Sequence, residues 1–171
     1  PVCISFMRAF WLFLFLFFSV PASFANQRCD AHVPVQRAEL GAVSLVYQSV
    51  GAPRGPALLL VMGLGGQLIH WPDDVLEALC RQGFRVIRYD NRDVGLSSKL
   101  PGRHAGAPLL PRMARSYVGL PSPAAYTLED MADDAAALLD HLGIDSAHVV
   151  GGSMGGMIAQ VFAARHPART R

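Results

Sequence analysis

His148-Val149-Val150-Gly151-Gly152-Ser153-Met154-Gly155-Gly156-Met157 is the stretch from which the rest of the chain can be read. A short apolar run stops at glycine, turns through a serine, and leaves on a helix-forming segment that begins Met157-Ile158-Ala159-Gln160. The pattern is G-x-S-x-G in a strand–turn–helix setting, the arrangement of a nucleophile elbow. Such a turn puts the serine in a strained backbone conformation, so its neighbours must be small, and glycines stand at 151, 152, 155 and 156. The strand end lifts the Ser153 hydroxyl above the sheet, and the helix start, beginning with the Met154 N–H, points donors at the same space. The competing reading is a glycine-rich turn whose serine only caps the helix.

Working outward, Ala57-Leu58-Leu59-Leu60-Val61-Met62 is short and continuously apolar, as suits a parallel strand covered on both faces. It ends in Gly63-Leu64-Gly65-Gly66, where glycines allow close backbone approach and leave N–H groups free. Pro72 and the acidic pair Asp73-Asp74 open a helix through Gln82, and Gly83 ends it. His70, just before it, has no visible acidic partner and reads as a partly exposed structural histidine, with a substrate-side role the alternative. Phe84 to Tyr89 forms the next strand, and Asp90-Asn91-Arg92-Asp93-Val94-Gly95-Leu96-Ser97 follows at its C-terminal end. Asp90 and Arg92 read as structural there, pinning the loop through hydrogen bonds and an ion pair.

Residues 101–126 have no clean period and read as a long surface loop with one short helix around Met113–Tyr117. Thr127 caps a helix whose Leu128, Met131, Ala135, Leu138, Leu139 and Leu142 share one face. Upstream, Arg37 to Val50 holds two apolar stretches around Gly41 and reads as a half-buried antiparallel hairpin or a pair of edge strands.

The N-terminus has its own logic. Met7-Arg8, an apolar run from Ala9 to Val20, and the small-x-small site ending at Ala25 read as a signal peptide over residues 1–25, with an uncleaved anchor the alternative; translation starts at Met7, or the sequence is cut at its front. Pro21 ends the run before the about 20 apolar residues a membrane span requires, so no stable span is expected after cleavage. Export to the periplasm or medium follows. Residues 26–36 read as an irregular, loosely attached arm, and 37–171 as the domain. Export permits a disulfide between Cys29 and Cys80, but Cys80 reads more simply as a small apolar residue on its helix. No metal-ligand spacing is present. A net charge of +2 argues against a nucleic-acid partner.

Three stretches together resemble one family: Val61 to Gly66, Asp90 to Ser97 (the D-x-R-x-x-G-x-S loop of many single-domain members), and Gly151 to Gly156. The chain is similar to α/β hydrolases, most of all to esterase-like members such as methylesterases of the aclacinomycin type. Met62 departs from the frequent histidine before the glycine, which alters the loop's side-chain support but not its backbone donors. The resemblance implies a mostly parallel eight-stranded sheet flanked by helices, no cofactor, and Ser–His–Asp chemistry with Ser153 as nucleophile. It also implies an oxyanion hole from the Leu64 and Met154 N–H groups and a small-molecule ester or acyl substrate; a plain flexible turn is the other reading of the Leu64 loop.

The family order is serine, acid, histidine. The 18 residues after Ser153 contain no aspartate or glutamate, and their one histidine, His166, lies about 20 Å along the same helix. The triad acid and histidine are therefore expected to be absent. The chain reads as the N-terminal part of an exported ester hydrolase, truncated after the elbow helix and inactive by itself. An acyltransferase of the same fold, and a non-enzymatic truncated product, are the alternatives.

Overall fold

Five strands among the described residues form one mixed sheet. They are β1 (Gln36–Glu39), β2 (Ser44–Gly51), β3 (Ala57–Val61), β4 (Arg85–Tyr89) and β5 (Ala147–Gly151). The computed structural model describes residues 29–100, 109–120 and 124–171, and places the strands in the order β1-β2-β4-β3-β5. The leader expected over 1–25 and the first residues of the arm lie outside the described residues. Helices α1 (Asp73–Arg81), α2 (Leu109–Tyr117), α3 (Leu128–His141) and α4 (Met154–Arg165) complete the fold.

β1, β2 and β4 pair antiparallel, whereas β3 runs parallel to both β4 and β5. The parallel pairs need crossover connections, and helices supply them: α1 joins β3 to β4, and α3 lies between β4 and β5. The first crossover runs from β3 out to β4 and the second runs back from β4 past β3 to β5, so the two travel in opposite directions and cover opposite faces. On one face Leu45, Tyr47, Leu59, Val61, Ile87 and Tyr89 meet α3 and α4. On the other, Val50, Leu58, Leu60 and Val86 meet Leu76 and Cys80 of α1. Burial on both faces is why Ala57 to Val61 is apolar at every position.

Two expectations change. β2 is buried over most of its length, not half-buried, because it lies inside the sheet and both its faces are covered. Cys80 is not a simple apolar helix residue: it is disulfide-bonded to Cys29, with Cα atoms 5.7 Å apart. The bond draws the arm onto the α1 face, where Ala31 is 1% exposed. The arm's described part, residues 29–35, is irregular but not loosely attached, and Gln36 already belongs to β1.

The helix signals map closely onto the elements. Pro72 stands at the N-cap of α1, one residue before the helix starts. Thr127 and Asp130 form a reciprocal capping box on α3. The six apolar positions expected on one face of that helix all join the first core. The short helix in the long loop starts earlier than expected, at Leu109. After α4 a 3-10 turn at Pro167–Arg169 returns the chain to β5, where Thr170 bridges Ala147 in parallel.

Candidate active site

The helix after β3, α1, and the helix after β5, α4, lie on opposite faces of the sheet, so a crevice opens at the C-terminal ends of β3 and β5, the place where open α/β sheets gather ligands. Two loops meet there: Gly63–Gly66 after β3, and the turn through Ser153 after β5.

Ser153 has φ 55° and ψ −123°, a conformation non-glycine residues avoid at a cost of about 1–3 kcal/mol. It stands at the N-cap of α4, yet its side chain makes no capping hydrogen bond and is exposed. The helix-cap reading of this serine therefore fails. The glycines around it divide by role. A Cβ on Gly155 would strike the Val61 carbonyl, and one on Gly151 would strike the Gly155 backbone. Gly152 faces open space, so the room it was expected to supply is not needed there. The turn is tied to β3 by the Gly152 N–H, which donates to the Val61 carbonyl at 3.0 Å.

The β3 loop abuts this turn. A Cβ on Gly63 would lie 3.1 Å from the Ser153 Cβ and 3.0 Å from the Gly152 carbonyl oxygen. Leu64 follows with its side chain 84% exposed, and the Gly66 N–H closes a turn onto the Gly63 carbonyl at 3.0 Å. Among the described residues, neither the Leu64 N–H nor the Met154 N–H donates to a protein acceptor. The Met62 side chain fills the space beside Gly66, which is the support this loop has in place of a histidine.

The Asp90–Ser97 segment fastens the neighbourhood. Asp90, 3% exposed, accepts the Leu68 N–H at 2.7 Å on one carboxylate oxygen and the Leu96 N–H at 2.9 Å on the other. Gly95, at φ 50°, sits against that carboxylate where a Cβ would not fit. The Ser97 hydroxyl donates to the Asp90 carbonyl and accepts the Val46 N–H. The Asn91 amide donates to the Met62 carbonyl at 2.9 Å, holding the end of β3. Sequence reading assigned nothing to Asn91 or Ser97, whose partners are distant in the chain.

Arg92 pairs not within its own loop but with Asp134 on α3, through Nε to Oδ2 at 2.6 Å and Nη2 to Oδ1 at 2.7 Å. Burial pushes the Asp134 carboxyl above the ordinary range, and the Arg92 hydrogen bonds oppose that shift. The hydrogen bond to Asp134 raises the Arg92 guanidinium. Arg92 also lies 5.2 Å from the Tyr126 ring centroid. Both Asp90 and Arg92 therefore do structural work.

Among the described residues no histidine is hydrogen-bonded to Ser153. His70 is exposed, and its Nδ1 lies 3.1 Å from the Gln67 N–H, which donates to it within a local turn. His166 does meet a carboxylate, with Nε2 2.8 Å from Asp133 Oδ1, but at the far end of α4. Arg165 bonds the same carboxylate and, with His166, holds it below the usual range.

A mixed sheet with opposed crossovers, and a strained serine between the fifth strand and its helix, agree with a family model described as alpha/beta hydrolase fold, which matches residues 56–171. The chain belongs to the α/β hydrolase fold family. Among α/β hydrolases it is 35% identical over 127 residues to a rhodomycin D methylesterase from Streptomyces sp. (strain C5), covering 74% of this chain and 36% of that protein. The enol-lactonase structure from Burkholderia xenovorans LB400 superposes with a TM-score of 0.62 at 30% identity, over 80% of this chain and 44% of the other. A hydrolase structure from Pseudomonas aeruginosa PA01 gives 0.62 at 32% identity, over 83% and 44%. The chain thus spans less than half of each relative, and the residues matched by the family model, 56–171, hold both loops of the crevice.

Proposed function

We propose that this chain is the nucleophile-bearing part of an exported serine hydrolase acting on carboxylic esters. The observation that carries the reading is Ser153 itself: strained at φ 55°, exposed, and unused as a helix cap. Strain of this kind persists at functional sites where the surrounding fold over-determines it. The ester preference rests on the relatives named methylesterase and enol-lactonase.

In this reading the Ser153 Oγ attacks the ester carbonyl carbon while a histidine takes its proton. The tetrahedral oxyanion is held by the Leu64 and Met154 N–H groups. The alcohol leaves with that proton, an acyl-serine remains, and water then releases the acid and regenerates the hydroxyl. The histidine and its carboxylate are assigned to sequence outside these 171 residues, because His70 is engaged locally and the His166–Asp133 pair lies at the wrong end of α4. Export is supported by the leader pattern and by the Cys29–Cys80 disulfide, a bond that persists in oxidising compartments.

The test uses a fluorophosphonate probe on the 171-residue chain and on the complete reading frame, each with Ser153→Ala. Serine-dependent labelling of the complete protein alone is the expected result. Labelling of the short chain would place the base within it and make His70 the next residue to replace. No labelling of either would overturn the nucleophile assignment. Mass spectrometry of the exported product should find an N-terminus at Asn26.

A further inference from the structure

Arg88 is the one arginine on β4 buried among apolar neighbours: it shares the α1 face of the sheet with Val86, and its side chain is 4% exposed. A guanidinium in that position must be well satisfied, and its partners come from three separate segments. Nε donates to Gln48 Oε1 at 2.7 Å. Nη1 donates to the Trp71 carbonyl at 2.8 Å and to Asp73 Oδ1 at 3.1 Å. Nη2 donates to the Ala31 carbonyl at 3.3 Å. Gln48 in turn donates to the Val33 carbonyl. The arm is thus held at Ala31 and Val33 by this polar node and at Cys29 by the disulfide to α1.

The same node holds the far end of the crevice loop. The segment from Gly63 to Trp71 is anchored at its start by Asn91 on the Met62 carbonyl, in its middle by Asp90 on the Leu68 N–H, and at its end by Arg88 on the Trp71 carbonyl. Trp71 also packs into the second core beside Cys29, Ala31, Val33 and Cys80. Removing the arm would uncover Trp71 and leave Arg88 short of a partner in a dry site.

We infer that the Cys29–Cys80 disulfide, the arm at residues 29–35 and Arg88 form an oxidation-locked clip that positions the Gly63–Trp71 loop. Closing the clip takes two electrons from the two thiols by exchange with a protein disulfide. One cysteine thiolate attacks that disulfide and expels a thiolate. The second then attacks the resulting mixed disulfide and expels the other. Two protons leave the cysteines, and the oxidant ends as a dithiol. The catalytic meaning of the clip rests on the oxyanion role proposed for Leu64; its mechanical part does not.

Hydrogen exchange on the complete protein, oxidised and after reduction, tests the mechanical part. Reduction, or the Cys29→Ala/Cys80→Ala pair, should cost the amides around Ala31 and those at His70 and Trp71 about tenfold or more in protection. Protection at Gly155 and Gly156 should be retained. Arg88→Lys, which keeps the charge but loses the fork, should loosen the same two segments with the disulfide intact. Loss of protection in the arm alone, or in neither segment, overturns the clip. In the complete protein, reduction should lower kcat about tenfold with little change in KM, a partial loss of one oxyanion donor. Unchanged kcat in a protein that Ser153→Ala inactivates would overturn the positioning role while leaving the hydrolase reading intact. If Ser153→Ala leaves activity in place, the hydrolase reading fails and the exchange result alone decides the clip.

Discussion

Ser153 and Gly155 show how one turn limits its own sequence. The serine is held at a positive φ because the strand must turn at once into α4, and Gly155 lets that helix start close against the Val61 carbonyl. Gly155→Ala should therefore cost about 1–3 kcal/mol, seen as a lower urea midpoint, through overpacking against backbone that cannot move aside. Gly152→Ala meets open space at its Cβ and should cost far less. The Arg92–Asp134 pair is the second test at this scale, with side chains 12% and 10% exposed. Arg92→Met leaves a buried carboxylate without its bidentate partner and should cost about 3 kcal/mol by denaturant unfolding. The double variant Arg92→Met/Asp134→Leu should recover much of that loss, because it removes the stranded charge as well.

Among the elements, α3 has the most legible ends. The Thr127 hydroxyl accepts the Asp130 N–H at 3.2 Å, and the Asp130 carboxylate accepts the Thr127 N–H at 2.7 Å. Thr127→Ala should lower stability by about 1 kcal/mol. The backbone N–H of Thr127 is the main reason the Asp130 carboxyl lies below its ordinary range. A carboxyl with a depressed folded pKa adds stability above its unfolded value of about 3.9, and that stability is lost as pH falls through the lower folded value. Asp130→Asn should therefore flatten the pH dependence of unfolding in that acidic window while leaving the neutral-pH slope unchanged. Hydrogen bonding at this cap needs no distant partner, which is why four residues of sequence were enough to find it.

At the scale of the whole molecule the sheet is lopsided. β3 is buried throughout, whereas on β5 Val150 is 44% exposed, and on the adjoining α4 Met157 is 56% exposed. Thr170 and Arg171 begin to cover that side, with the Arg171 N–H donating to the Ala147 carbonyl at 3.0 Å. An apolar edge of this kind templates pairing with other chains. The 171-residue chain expressed alone should self-associate, and Val150→Lys should reduce light scattering at equal concentration. Among the described residues no helix is long and apolar enough to cross a membrane.

Local rules carried the sequence a long way. Apolar runs marked β3 and β5, capping residues bounded α3, and Gly151 to Gly156 announced the turn, because each depends on residues within a few positions of one another. The tertiary structure alone decided the rest. Cys80 reads as a helix apolar until the sheet brings Cys29 to it across 51 residues of chain. Arg92 finds its partner 42 residues away on α3, and Arg88 gathers the arm, β2 and the crevice loop into one node. A lone charged or thiol side chain carries no periodicity and no cap, so nothing in its own neighbourhood names its partner. That choice is made only when packing brings distant segments together and the cost of burying an unpaired group selects among them.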